Sequence, residues 1–456
     1  MTTLTPPRGP VEERAVRTRT LTDWRPEDEK FWRRTGAKTA QRNLVHSVLT
    51  EHIGFSVWSL WSVLVLFLGP EYHIDPAQKF TLTALPTALG GALRLPYTFA
   101  VARFGGRNWT VFSALLLLVP TGLAGLLLAP GVSYGALLAL ACVSGVGGGN
   151  FGSSMANINA FYPQRLKGWA LGINAGGGNL GVPVVQLVGL LVLATAGAAH
   201  PRVLVLVYIP LIVLGALAAA LRMDNLRIDG AATGRDGWRA LGEVARRRHS
   251  WVLAALYTGT FGSFIGFGFA FGQVLQVQFA GQFDTPVKAA YLTFLGPLLG
   301  SLTRPVRGRM ADRWGGARVT LGTFLAMAVG AVLVLVASGT GSLPLFVAGF
   351  VSLFLLSGVG NGSTYKMIPA VCLAEAGAEA AGRRLPPDAV ERTAHRRATA
   401  LIGLAGAVGA FGGVFVNFAF REAFLTSRSG DTAYLSFLAA YAVCAVLIWA
   451  VYIRRR

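Results

Sequence analysis

Sliding the chain by 210 residues lays LGGALRLPYTFAVARFGGRNWT (89–110) over GSLTRPVRGRMADRWGGARVT (300–320). Arg94 then falls on Arg304, Arg103 on Arg313, Gly105 and Gly106 on Gly315 and Gly316, and Thr110 on Thr320. Both stretches are apolar around their first arginine. That arginine precedes its loop arginine by nine residues, ~13 Å at helical rise. This is about half of a ~30 Å hydrocarbon core. A charge at such depth is costly and faces a cavity or a partner. The chain is therefore bound to two like halves, each with one arginine at mid-depth.

Composition agrees with a membrane setting. Of 456 residues, 53% are hydrophobic and only 14% charged, with a mean hydropathy of +0.53; soluble domains carry about 25% charged residues. Apolar windows predict an all-α integral membrane protein of twelve spans, near 44–68, 79–102, 109–130, 133–161, 168–195, 202–222, 251–280, 289–311, 319–338, 342–372, 398–424 and 432–453. They divide the chain into an N-terminal tail (1–43), a six-span half (44–222), a charged linker (223–249) and a second six-span half (250–456).

The net charge of +20 raises the question of nucleic acid, but its placement answers otherwise. Of the 41 Lys and Arg, 33 fall in the tails and loops on one side, five on the other, and Arg94, Arg304 and Lys366 within spans. This is the positive-inside bias. It puts both termini in the cytoplasm of a multi-pass inner-membrane protein and makes nucleic acid an unneeded partner. Cys142, Cys372 and Cys444 show no motif spacing and read as core residues. Scattered histidines give no metal cluster, and no cofactor motif, nucleophile–base pair or obligate protein partner is evident. The first 43 residues lack the apolar core of a signal peptide. Trp24, Phe31 and Trp32 among charges mark either an interfacial helix or a mobile tail.

Equivalent spans of the halves run in the same direction, so the repeat is parallel. Gly145, Val146, Gly147 and Gly149 in span 4 correspond to Gly358, Val359, Gly360 and Gly362 in span 10. Two six-helix halves related by an axis along the membrane normal form the major facilitator arrangement, with substrate near the midplane between them. The segment Gly308, Asp312, Arg313, Gly315 resembles that superfamily's signature loop; Ala102 replaces the acid in the first half. Glycine-dense spans such as these either allow tight helix packing or let helices slide and expose backbone groups to a small solute.

GVGGGNFGSSMANINAFYP (145–163) and GVGNGSTYKMIP (358–369) resemble the paired nitrate signatures of the nitrate/nitrite porter family of the major facilitator superfamily. Arg94 in GALRLPY, Arg304 and GSFIGFGFAFGQVLQVQF (262–279) fit the same family, over residues 43–450. The resemblance implies a nitrate and nitrite carrier in which Arg94 and Arg304 bind the anion. It also implies that Phe151, Asn174, Tyr257 and Phe261 line the site. The signature positions Gly147, Gly148, Gly149, Asn150, Gly358, Gly360, Asn361 and Gly362 are expected to serve conformational change.

The chemistry is consistent without the name. A guanidinium is planar, permanently charged and presents fixed donors that suit planar oxyanions. Aromatic rings such as Phe151 would pack on the anion's faces, and Asn174 or Asn150 would donate. The alternatives are arginines paired with helix carbonyls, aromatics as core and asparagines as interhelical glue. Two unneutralised arginines resist closure on an empty site, which favours nitrate/nitrite antiport. Proton symport is the alternative, and it needs a titratable group deep in a span. Glu51 and His52 near the cytoplasmic end of span 1, and Lys366 near that end of span 10, are not clearly at the midplane. A membrane enzyme, an anion channel and a carrier for phosphate or a carboxylate are the remaining alternatives.

Overall fold

Apolar helices that cannot satisfy backbone groups from lipid must satisfy them internally, and the chain is helical nearly throughout. The computed structural model describes residues 19–227, 234–303, 313–382, 386–427 and 429–454. Spans 1 to 7 are Glu29–Phe67, Pro76–Phe104, Gly106–Leu127, Tyr134–Phe161, Gln164–Thr195, Pro201–Arg222 and Arg248–Gln278. Span 8 is described over Pro286–Thr293 and Leu295–Leu302. Spans 9 to 12 are Gly316–Thr340, Leu343–Ala381, Pro387–Ser427 and Asp431–Ile453. Ten of the helices are long and apolar enough to cross a membrane. Span 2 has the length, but Arg94, Pro86, Pro96 and its threonines dilute its hydropathy.

The repeat is visible in the burial of the spans. The most apolar windows of spans 1 and 7 are each 83% buried, whereas those of spans 3, 6, 9 and 12 are 39%, 39%, 44% and 28% buried. The first pair is therefore central, while spans 3, 6, 9 and 12, together with span 10 at 44%, turn more of their surface outward. Their outward leucines and valines, such as Leu126, Leu214, Val329 and Val443, form an apolar surface that only lipid or another apolar partner accommodates. The backbone repeats as well. Gly105 (φ 85°, ψ 145°) and Gly315 (φ 83°, ψ 140°) start spans 3 and 9 with the same left-handed turn, where glycine is favoured. One turn later, Thr110 Oγ1 donates to the Gly106 carbonyl and Thr320 Oγ1 to that of Gly316, both at 2.8 Å.

Span 1 departs from the sequence reading. Its helix begins at Glu29, not near residue 44. Residues 29–43 are polar enough to escape a hydropathy window, yet they wind on as one face of Trp32, Ala40 and Leu44 turned inward. The segment before it is docked: Trp24 Nε1 donates to the Phe161 carbonyl at 3.2 Å, and its ring meets Phe31 and Phe161. Thr20–Leu21 pairs in parallel with Asn225–Leu226 of the linker. These aromatics pack on the protein, so neither the free interfacial helix nor the mobile tail describes residues 19–43.

The halves meet along spans 2 and 11. At the end away from the linker, Phe80 stacks on Phe424 (5.5 Å) and Phe420 (5.8 Å), and Thr83 Oγ1 donates to Asn417 Oδ1 at 2.7 Å. At the linker end, helix Gly234–Ala245 bridges the halves. Its Trp238 packs on Phe99 of span 2, while Glu243 bonds Arg396 and Arg397 of span 11. Arg397 and Arg247 also hold Glu379.

Span 4 glycines permit close approaches to neighbouring backbone. A Cβ on Gly147 would sit 2.2 Å from the Gly54 carbonyl oxygen, and one on Gly152 would sit 2.4 Å from that of Arg94. Backbone cannot yield as a side chain can. Gly172 of span 5, by contrast, has open space at its Cβ position. Gly147→Ala is therefore expected to lower the melting temperature of the detergent-purified protein by several degrees. Gly172→Ala is expected to leave it unchanged or raise it, since alanine is favoured over glycine by about 1 kcal/mol in a helix. Equal melting temperatures for the two variants would contradict this packing account.

Candidate functional site

Arg94 is 1% exposed and projects from span 2 into the contact with span 11. Burying a cation costs several kcal/mol unless it is compensated. Three rings supply part of that compensation. The guanidinium carbon lies 4.6 Å from the ring centres of Phe151 (span 4) and Phe261 (span 7), and 5.5 Å from that of Trp58 (span 1). Each such contact contributes about 0.5–2 kcal/mol. Nη1 donates to the Gly406 carbonyl of span 11 at 2.8 Å. Nε and Nη2 are buried without a hydrogen-bond partner among the described residues. These two atoms form one edge of the guanidinium, the edge that takes two oxygens of an oxyanion side by side.

The rings continue as a stack. Phe261 lies against Phe151 (6.3 Å) and Tyr257 (5.1 Å, 4° between planes), and Tyr257 against Tyr365 (4.5 Å). Span 7 brings Tyr257 and Phe261 together through a π-helical turn, Thr258–Gly262. Such turns recur at functional sites because the extra residue redirects side chains. Gly262 and Gly412 make room for the turn: a Cβ on Gly262 would lie 2.5 Å from the Gly412 Cα. Gly406 keeps the space beside Arg94 clear, its Cβ position being 3.1 Å from the Tyr365 hydroxyl and 3.8 Å from Arg94 Nη1.

A cavity of about 30 Å³ leads from Arg94 toward the linker end, lined by Thr98, Phe151, Met155, Leu171, Thr399 and Gly403 among others. One water needs about 10–15 Å³ on this measure, so the cavity suits a solute of a few atoms. Farther from the linker, the Phe80 stack packs span 2 against span 11.

The remaining sequence candidates separate. Arg304, with Gly308 and Asp312, lies outside the described residues. Asn174 is fully buried but donates to Glu51 Oε2 (2.7 Å) and Ser154 Oγ (2.8 Å), away from the Arg94 guanidinium. Gly147, Gly148 and Gly149 face Gly54, Gly90 with Trp58, and Tyr97 respectively, which is close helix packing. Asn150 presses on Gly54. Gly360 abuts Thr260, Gly358 is buried and Gly362 exposed. Asn361 is buried with neither amide atom hydrogen-bonded among the described residues. Lys366 is exposed at the surface of span 10.

Sequence reasoning missed Trp58, Tyr365 and the Gly406 carbonyl. Tyr365 sits inside the second glycine signature and was findable there; a backbone carbonyl carries no side-chain signal. It also misjudged Glu51, which is 1% exposed. Glu51 is enclosed by spans 1, 4 and 5, where Ser154 Oγ and Asn174 Nδ2 donate to it. It lies about one turn to the linker side of the Arg94–Phe151 contact, since its partner Ser154 follows Phe151 by three residues. A deep carboxylate is present after all.

Comparison with known proteins identifies the fold and the family. Residues 53–413 match the family model of the Major Facilitator Superfamily. The chain is 38% identical to the nitrate/nitrite transporter NarU of Escherichia coli (strain K12), over 96% of each chain. It is 34% identical to a probable nitrate/nitrite antiporter, NarK2, of Thermus thermophilus, over 86% of this chain and 87% of that one. Among solved structures, a D-xylose–proton symporter superposes with a TM-score of 0.65 at 16% identity, covering 90% of this chain and 97% of that one. The chain is a multi-pass membrane transporter and belongs to the nitrate/nitrite porter family of the major facilitator superfamily.

Proposed function

We propose that this chain carries nitrate and nitrite across the inner membrane by alternating access, with both termini cytoplasmic. The anion is held at Arg94, and Arg304, its counterpart in the second half by the sequence repeat, serves as the second binding arginine. The observation that carries this reading is the buried Nε–Nη2 edge of Arg94. Leaving charged donors buried and unmade is expensive, and a planar oxyanion offers two acceptors at the matching spacing. The rings of Phe151, Phe261 and Trp58 exclude water, which favours a weakly hydrated anion over strongly hydrated phosphate. The relatives named as nitrate/nitrite transporters support the same substrate class.

The mode follows from charge. Closing the halves around two cationic groups is resisted unless an anion lies between them, so each stroke is loaded and nitrate exchanges for nitrite. One observation favours a second reading, proton-coupled nitrate uptake: Glu51 is the deep titratable group such coupling needs.

Arg94→Lys keeps the charge but loses the fork. It is expected to reduce nitrate/nitrite exchange in liposomes to below about a tenth of wild type, a loss of at least ~1.4 kcal/mol in transition-state terms, while the protein still elutes as a monodisperse peak. Retention of most of the activity would remove Arg94 from the binding role.

Counterflow tests the mode. Liposomes loaded with nitrite should release it slowly into anion-free medium and quickly once external nitrate is added. The rate should not depend on a clamped potential of either sign, because equal charges cross in opposite directions. Rapid nitrite efflux without any external anion would rule out obligatory exchange.

A further inference from the structure

We infer that the outer face of the helix that opens span 1 binds the headgroup of anionic lipid in the linker-side leaflet, through Lys30, Arg34 and Lys38. The inference is independent of the transported anion. Residues 23–38 carry five cations, Arg25, Lys30, Arg33, Arg34 and Lys38, against four acids. The acids are all engaged by protein. Asp23 and Asp28 pair with Arg25, and Asp28 Oδ1 also accepts from the backbone N–H groups of Lys30 (2.9 Å) and Phe31 (3.2 Å). Glu27 accepts from the Gln164 N–H at 2.8 Å, and Glu29 pairs with Arg33 and Arg165. Lys30, Arg34 and Lys38 are exposed and make no ion pair among the described residues.

Two markers set the depth of these cations. The outward stripe of span 1 runs through Leu49, Val45, Gln41, Lys38 and Arg34, all exposed and spaced as one helical face. Val45 and Leu49, 56% and 42% exposed, are apolar and suit lipid. Lys38 lies seven residues before Val45 and Arg34 eleven, ~10 Å and ~16 Å at helical rise. The headgroup layer adds ~5–8 Å to the hydrocarbon on each side, and long basic side chains bend toward it. The second marker is aromatic. Trp32 on the inner face of the same helix meets Tyr162 (5.6 Å), and Tyr162 meets Trp169 (6.2 Å), which is 57% exposed at the start of span 5. Outward tryptophan is enriched at headgroup level, and Arg33 and Arg34 follow Trp32 directly.

A cleft of about 360 Å³ lies among these side chains, lined by Arg25, Asp28, Lys30, Phe31, Arg34 and Thr35. Arg25 sits over the Phe31 ring at 5.7 Å. A phosphate in the cleft would meet Lys30 and Arg34, with Lys38 one turn nearer the hydrocarbon. A phosphatidylglycerol headgroup brings a phosphate with no cation of its own, whereas phosphatidylcholine carries a choline that neutralises it. The negative surface of an anionic leaflet attracts such juxtamembrane basic groups. The inner side of the segment is already taken, since Trp24 and Trp32 pack on Phe161 and Tyr162. The helix therefore stays docked with or without lipid, and lipid binds its free face. A merely solvated basic face has no reason to continue the stripe of Val45 and Leu49.

Thermal unfolding of the purified full-length protein in uncharged detergent tests this, with dioleoylphosphatidylglycerol or dioleoylphosphatidylcholine added at equal concentration. Phosphatidylglycerol is expected to raise the melting temperature by several degrees more than phosphatidylcholine, because a ligand of the folded state stabilises it. That excess should vanish in about 0.5 M NaCl, where exposed charges are screened within a few ångströms. Arg34→Gln combined with Lys38→Gln should lose more than half of the excess. Arg246→Gln combined with Arg248→Gln, the same charge change on exposed arginines of the linker, should keep it. An equal rise with phosphatidylcholine in wild type overturns the inference without any variant. Equal losses in the two double variants also overturn it, as they would mean general attraction to the surface. So does an equal rise with inorganic phosphate that Arg34→Gln with Lys38→Gln abolishes, which would mean a small-anion site and not a lipid one.

Discussion

A guanidinium buried in the middle of an apolar bundle is the constraint from which most of this architecture follows. Arg94 is almost wholly buried, and the protein surrounds it with ring faces from spans 1, 4 and 7 and one carbonyl from span 11. Those four contributors come from both halves. The cation therefore ties the halves together at mid-depth, and any movement of one half against the other changes its surroundings. A charge satisfied on one edge and left with unmade donors on the other is poised to respond to an anion.

The glycines are the other side of the same constraint. Rings and a guanidinium fill the centre only if the backbones behind them approach closely. Gly147 against Gly54, Gly148 against Gly90, and Gly262 against Gly412 give that approach. Gly406 acts differently, keeping a side chain out of the space beside Arg94. The dense glycine signatures thus combine two roles, helix packing along most of their length and clearance at a single point.

Much of this was legible in the sequence, and the exceptions have physical causes. Arg94 stood out because charge in an apolar window is rare, and the 210-residue shift held down to the φ angles of Gly105 and Gly315. Phe151, Tyr257 and Phe261 were reached through the family resemblance; their place in one stack depends on a π-helical turn that periodicity does not show. Glu51 was misplaced because hydropathy marks where lipid begins, not where a helix begins. Asn174, read as lining the anion site, donates to that same carboxylate.

The two ends of the interface are built from different materials. Away from the linker the halves are joined by the Phe80, Phe420 and Phe424 rings. At the linker end, Glu243, Arg396 and Arg397 clamp the bridging helix in an ionic cluster. Parting rings wets apolar surface and raises the heat capacity, whereas parting an ionic cluster is eased by salt at its solvent-facing member, Arg396. The carrier's two openings consequently answer to different variables, one to temperature through a curved enthalpy and the other to ionic strength on the linker side.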